Sequence, residues 1–89
     1  MKKHLTLSID CSHTATSARV HASIARQLHF PSYYGANLDA LRDCLADILV
    51  EHSLSVVWKD TEHSKKDVGL STLKKVVCDV VGVHNVQSV

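Results

Sequence analysis

The chain of 89 residues contains few of the residue types that interrupt or cross-link a fold. It has one proline, three glycines and three cysteines. Cys11, Cys44 and Cys78 are odd in number, widely spaced and without a C-x-x-C pair, which argues against a secreted disulfide scaffold. We therefore expect reduced thiols, mostly buried for structural reasons, in a cytoplasmic protein.

The sequence also lacks a strong charge and a long apolar run. Ten Lys and Arg against nine Asp and Glu give a formal charge of +1, whereas a nucleic-acid-binding domain usually carries a clear basic excess. No apolar stretch approaches the roughly 20 residues that cross a bilayer. Thr6, Ser8 and Asp10 interrupt the segment after the first lysines, so we predict no signal peptide. Neither nucleic acid nor membrane is expected as a partner.

Motifs of catalysis and cofactor binding are missing as well. The seven histidines form no H-E-x-x-H motif and no Cys/His set with zinc spacing. There is no nucleophile elbow, phosphate-binding glycine loop or dinucleotide fingerprint. We predict that the protein is not an enzyme and needs no metal or cofactor, and a small enzyme is kept only as a third hypothesis. His21 is expected to be a satisfied, partly buried residue of the first helix.

What the chain does contain is a regular alternation of apolar patterns. The 45% of hydrophobic residues is typical of a globular core, and we expect one domain over residues 1–89. Residues 4–10 alternate with period two, which predicts a strand. Val20, Ile24 and Leu28 recur every four residues and predict a helix of about 12 residues, which Phe30-Pro31 ends.

The second half of the chain continues this alternation. Asn37 is a predicted N-cap for a helix that runs to about Val50. The pattern then predicts a turn at residues 51–53 and a strand over residues 54–58. Asp60 or Thr61 is predicted to cap a short helical turn through Lys66, which Gly69 ends. Ser71 then caps another helix, with Gly82 as its C-terminal stop, and residues 83–89 form a last strand.

Strands joined through helices are expected to lie parallel with right-handed crossovers. The sequence therefore predicts an α/β fold: a three-stranded parallel sheet packed with helices in a single layered domain.

The second predicted helix carries an unusual charge pattern. Asp39, Asp43 and Asp47 recur every four residues on one face, where like charges repel, and Arg42 can reach Asp39 to relieve part of that strain. Residues 30–52 have a local charge of −3, so the remainder is +4 and the small net charge conceals a dipolar molecule. A solvated helix face and packed tyrosines are the alternative reading of this region.

The segment from Phe30 to Leu45 reads FPSYYGANLDALRDCL and resembles the central signature of the barstar family of intracellular ribonuclease inhibitors. Weaker similarity continues through residues 57–59 and 61–65. The resemblance implies that the loop and second helix plug the active-site cleft of a secreted or toxin-type microbial ribonuclease, with carboxylates in place of substrate phosphate. The predicted partner-binding residues are Tyr33, Tyr34, Gly35, Asn37, Leu38, Asp39, Arg42, Asp43, Asp47 and Asp79.

Three departures from the family pattern are visible. Arg42 stands where the resemblance implies a tryptophan, and Asp79 supplies a late acidic contact only if the alignment slips by one residue, since Cys78 falls there otherwise. The family is also clearly acidic, and this chain is not. These departures keep open an alternative function, a barstar-fold binding module whose partner is not a ribonuclease.

Overall fold

A computed structural model describes residues 3–11, 16–59 and 68–89. The larger elements are β1 (Lys3–Asp10), α1 (Ser17–Leu28), α2 (Leu38–Glu51), β2 (His52–Lys59) and α3 (Val68–Val81). A 3-10 turn over Val83–Asn85 then leads into β3 (Val86–Ser88). All three strands are parallel, in the order β1-β2-β3, which confirms the predicted α/β class and sheet.

The two long strands show why the sheet forms. In β1 and β2 alternate side chains are buried, and the register places Leu7 beside Val56 and Ile9 beside Trp58 on the helix-covered face. On the opposite face the ring nitrogens of His4 are hydrogen-bonded to the hydroxyls of Ser53 and Ser55, at 2.9 and 3.0 Å. One face of the sheet is thus apolar and packed, and the other is polar.

The three helices each contribute one buried stripe to a continuous core. α1 buries the predicted residues Val20, Ile24 and Leu28, and α2 buries Leu41 and Leu45. The stripe of α3 consists of Leu70, Leu73, Val76, Val77 and Val81. Complete burial of such a side chain contributes about 1.5–3 kcal/mol, so packing of these stripes fixes the helices on the sheet. None of the helices in the described part of the chain is long and apolar enough to cross a membrane.

The predicted turn at residues 51–53 is wrong. α2 continues to Glu51, and His52 is both its C-terminal cap and the first residue of β2. The N–H of His52 donates to the carbonyl of Ile48, while its own backbone is already extended, with φ −132° and ψ 148°. The strand starts early because His52 and Ser53 pair with Lys3 and His4 of β1.

The predicted boundary at Gly69 and Ser71 is also wrong. α3 begins at Val68, so both residues lie inside its first turn. Glycine costs about 1 kcal/mol in a helix interior, but Leu70 is only 6% exposed and belongs to the buried stripe. Burial of Leu70 offsets the glycine, which explains the early start. The short helical turn predicted over residues 60–66 lies outside the described residues.

The end of the chain is only partly as predicted. Gly82, with φ +96°, ends α3 as expected, but residues 83–85 form a 3-10 turn and β3 has three residues. Asn85 stabilises the turn, since its N–H donates to the carbonyl of Gly82 at 2.9 Å and its side-chain amide donates to the carbonyl of Val81 at 3.1 Å. The strand that the apolar pattern indicates over residues 83–89 is therefore confined to residues 86–88.

Candidate functional site

The loop between α1 and α2 is fixed at its start by a helix cap. His29 ends α1 in the left-handed conformation, with φ 56° and ψ 48°, and its N–H donates to the carbonyl of Ala25. The N–H of Phe30 donates to the same carbonyl at 2.9 Å. A turn follows, closed by a hydrogen bond of 3.0 Å from the N–H of Tyr34 to the carbonyl of Pro31. Residues 30–34 are called the aromatic loop below.

The two tyrosines of the aromatic loop have different surroundings. Tyr34 is half-buried, contacts Phe30 edge-to-face with ring centroids 5.0 Å apart, and shares a hydrogen bond between its hydroxyl and Nδ1 of His21. Burial, with a smaller contribution from Cys44, raises the pKa of Tyr34 to about 12. Tyr33 is 84% exposed. Tyr34 therefore holds the loop in place, while Tyr33 presents its ring to solvent.

His21 is the internal support of this arrangement. It is 5% exposed on α1, and its ring lies 5.8 Å from that of Tyr34, centroid to centroid. Burial lowers the pKa of His21, so the ring is neutral at pH 7. The expectation of a hydrogen-bonded histidine is confirmed, and its side chain is more deeply buried than the partial burial predicted.

The loop enters α2 through a strained residue and a cap. Ala36 has φ 52°, a left-handed conformation that is costly outside glycine. Asn37 then caps α2, since its side-chain oxygen accepts a 2.8 Å hydrogen bond from the N–H of Ala40, as predicted. A Cβ placed on Gly35 would lie 2.9 Å from Nδ2 of Asn37. Gly35 and Asn37, which are both predicted to contact the partner, therefore also shape the start of α2.

The three aspartates at positions 39, 43 and 47, called the acidic row below, are exposed along α2. Asp39, Asp43 and Asp47 all face solvent, and Leu38 is half-buried against the core. Arg42 is exposed, and within the described residues no ion pair joins it to Asp39. An exposed pair on a helix gains little over the entropy lost in ordering two long side chains. The three carboxylates therefore have no ion-pair partner within the part of the chain that the structure describes.

A groove lies between the aromatic loop and α2, with a volume of about 320 Å³. We call it the aromatic groove. Asp43 and Asp47 line it on the helix side and Tyr33 on the loop side. Its other lining residues are Leu28, His29, Phe30, Pro31, Tyr34, Ala40, Cys44 and Ile48. Burial, followed by the carboxylates of Asp47 and Asp43, raises the pKa of the Cys44 thiol, so this cysteine is a protonated packing residue.

A second groove, of about 720 Å³, lies at the N-terminal ends of the helices. Asn37, Leu38 and Asp39 line it together with residues of α1 and α3, including His21 and Thr72. The structure thus divides the predicted acids between two neighbouring grooves. Asp79 is exposed on α3 and lines neither of them.

One exposed apolar residue on the outer face of α2 is not among the predicted partner-binding residues. Val50 is 72% exposed and lies three residues after Asp47 and seven after Asp43, on the same outer face of α2. The sequence pattern marks Val50 only as the end of the helix, although the helical spacing that aligns the acids also places it beside them. Within the part of the chain that the structure describes, no group of three or more His, Cys, Asp or Glu is arranged to hold a metal ion.

Comparison with known proteins adds two findings. The sequence model of the family described as "Barstar (barnase inhibitor)" matches residues 4–86. A Bacillus subtilis (strain 168) protein named "Putative ribonuclease inhibitor YrdF" is 44% identical over 50 residues, 56% of this chain and 54% of that protein. The match thus covers about half the length of this relative. Since the family model covers nearly all of the sequence, from β1 to the start of β3, the chain belongs to the barstar family.

Proposed function

We propose that this protein inhibits a secreted or toxin-type microbial ribonuclease by placing the aromatic loop and α2 in the active-site cleft of the enzyme. The observation that carries the proposal is the outward row of Asp39, Asp43 and Asp47 on α2, of which Asp43 and Asp47 share a groove with the exposed ring of Tyr33. The family membership and the name of the Bacillus relative support the same function.

The chemistry of a ribonuclease cleft fits this surface. Such a cleft holds a phosphodiester with Arg, Lys and His side chains, and their N–H groups donate as readily to carboxylates as to phosphate. Carboxylates on a rigid helix satisfy these donors without offering a bond to cleave. An exposed tyrosine adds a large contact area with few rotatable bonds, as is typical of residues that dominate binding energy.

Charge distribution favours the same orientation of the complex. Residues 30–52 carry −3 and the remainder of the chain +4, so a basic cleft is attracted to the α2 side more than to the rest of the protein. Such complementarity accelerates association and fixes register more than it raises affinity.

A second candidate is a binding module whose partner is not a ribonuclease. Arg42 favours it, because a cation without an ion pair in the described structure lies on the same helix as the acids. Like charges across an interface discriminate against a partner, so Arg42 is expected to oppose some basic clefts.

An inhibition assay tests the proposal. The purified protein is mixed with microbial ribonucleases, including any that is encoded beside it, and RNA hydrolysis is followed. Asp43→Ala should weaken the inhibition constant by about tenfold or more, since hydrogen bonds to charged groups contribute about 1.5–3 kcal/mol. Glu51→Ala, on the same helix but outside both grooves, should change it by less than about threefold.

Two results would contradict the proposal. The first is the absence of inhibition by the wild-type protein across the ribonucleases tested. In that case, capture of a non-nuclease partner that depends on Asp43 favours the second candidate. The second result is an equal effect of Asp43→Ala and Glu51→Ala, which would remove α2's acidic row from the site.

A further inference from the structure

Four polar side chains meet on the face of the sheet opposite the helices. In the parallel register His4 of β1 lies beside Ser53 of β2, and Thr6 lies beside Ser55. The buried side chains of both strands point to the other face, where the helices pack. Within the described part of the chain no helix covers these four residues, so a small molecule can reach them from solvent.

Both ring nitrogens of His4 are bonded to hydroxyls. Nε2 lies 3.0 Å from Oγ of Ser55, and Nδ1 lies 2.9 Å from Oγ of Ser53. Ser55 is half-buried, whereas Ser53 is exposed. The Ser55 hydroxyl has less access to water and therefore donates to Nε2, while Nδ1–H donates to Ser53, whose own proton bonds water. A nucleophile, its base and a group that orients the base thus form one chain of hydrogen bonds, which is the arrangement that activates a serine.

The sheet fixes this arrangement before any ligand binds. β1 and β2 pair without interruption from Lys3 to Asp10, so both strands hold His4 in a constant position relative to the two serines. Sites built on strands are more precise than sites built on loops. Thr6 stands next to Ser55 across the strands, where its hydroxyl is placed to donate to the oxyanion of a carbonyl under attack by Ser55.

We propose that Ser55 is an acylation site for small activated acyl esters, with His4 as its general base. Oγ of Ser55 attacks the acyl carbon while its proton passes to Nε2 of His4. The Oγ–C bond forms, the bond from the acyl carbon to the leaving oxygen breaks, and that oxygen takes the proton from Nε2. The products are acyl-Ser55 and the free alcohol or phenol. This reaction is independent of the proposed inhibition, because α2 packs on the other face of the sheet.

p-Nitrophenyl acetate tests the proposal on the intact protein. Peptide mass spectrometry locates the acetyl groups, and the rate at Ser55 is compared with that at Ser71, an exposed serine of α3 without a histidine partner in the described structure. Ser55 should react at least about tenfold faster than Ser71, since a positioned general base contributes roughly 10²–10⁴-fold. Equal rates at the two serines, or acetylation of Ser53 in place of Ser55, would overturn the proposal.

Removal of the base provides a second test. His4→Gln keeps a side chain that bonds hydroxyls but has no base, so acetylation of Ser55 should slow by about tenfold or more. His84→Gln removes another exposed histidine, in the 3-10 turn, and should leave the rate within about twofold because that ring is not positioned at Ser55. Equal rates in the two variants would show that His4 is not the base.

Conservative variants separate chemical roles of Ser53 and Thr6 from structural ones. Ser53→Ala removes the acceptor for Nδ1–H and should slow acetylation of Ser55 by about threefold, whereas Ser53→Thr keeps the hydroxyl and should restore the rate. Thr6→Val keeps the shape of threonine without its hydroxyl and should also slow the reaction by about threefold. Wild-type rates in both Ser53→Ala and Thr6→Val would overturn the roles of these two residues.

Discussion

The ring of His21 on α1 and the hydroxyl of Tyr34 in the aromatic loop are joined by a hydrogen bond between residues thirteen positions apart. This bond ties the loop to the buried side of the first helix, and Phe30 packs against the same tyrosine. The neighbouring Tyr33 is therefore presented to solvent by a loop that is anchored from within. Such preorganisation lowers the entropy lost when a partner binds.

Tyr34→Phe should destabilise the fold. The substitution keeps the ring contact with Phe30 but removes the hydroxyl, which leaves Nδ1 of the buried His21 without its partner. The expected loss is about 1 kcal/mol in the free energy of unfolding, measured by urea denaturation. A stability equal to that of the wild type would show that this hydrogen bond does not anchor the loop.

Tyr33→Ala should leave the stability of the fold nearly unchanged and weaken binding of the partner. The Tyr33 side chain is 84% exposed, so its removal should change the free energy of unfolding by less than about 0.5 kcal/mol. If Tyr33 contacts the partner, the dissociation constant should rise by about tenfold, in line with aromatic residues that dominate interfaces. Unchanged affinity in a calorimetric titration would exclude Tyr33 from the interface.

The difference between the two tyrosines marks the limit of what the sequence predicts here. Adjacent tyrosines are equivalent in a sequence pattern, and only the positions of His21 and Phe30 in the fold decide which of them is the anchor. Local periodicity, by contrast, was sufficient for α1, since the spacing of Val20, Ile24 and Leu28 set its buried face and length. Local pattern is insufficient at Gly69, because burial of Leu70, a tertiary effect, outweighs the local cost of a glycine.

Stability should decline as the solution is acidified below about pH 6.5. Burial lowers the pKa of His21 in the folded state, so the unfolded chain, with its ordinary value of about 6.5, binds the proton first. Free energy of unfolding is therefore highest above this value and falls as the pH drops towards the folded-state pKa. Urea denaturation between pH 7.5 and 5.5 measures the slope.

Two variants assign that slope to His21. His21→Gln should reduce it, because the buried titrating group is gone, although the variant starts from a lower stability. His84→Gln, in the exposed 3-10 turn, should retain the wild-type slope. An unchanged slope in His21→Gln would place the pH dependence on another group.

Gly35→Ala should weaken the entrance to α2. The added Cβ would lie 2.9 Å from Nδ2 of Asn37, and this side chain must hold its position for its oxygen to accept from the N–H of Ala40. Displacement of an N-cap costs about 0.5–2 kcal/mol, and it also shifts the first turn, which carries Asp39. Urea denaturation should show the loss.

The matched control is Ala36→Gly, where φ is 52° and glycine relieves the left-handed strain. That variant should be at least as stable as the wild type, and an equal loss in both would show that the loop responds to any substitution rather than to the displaced cap.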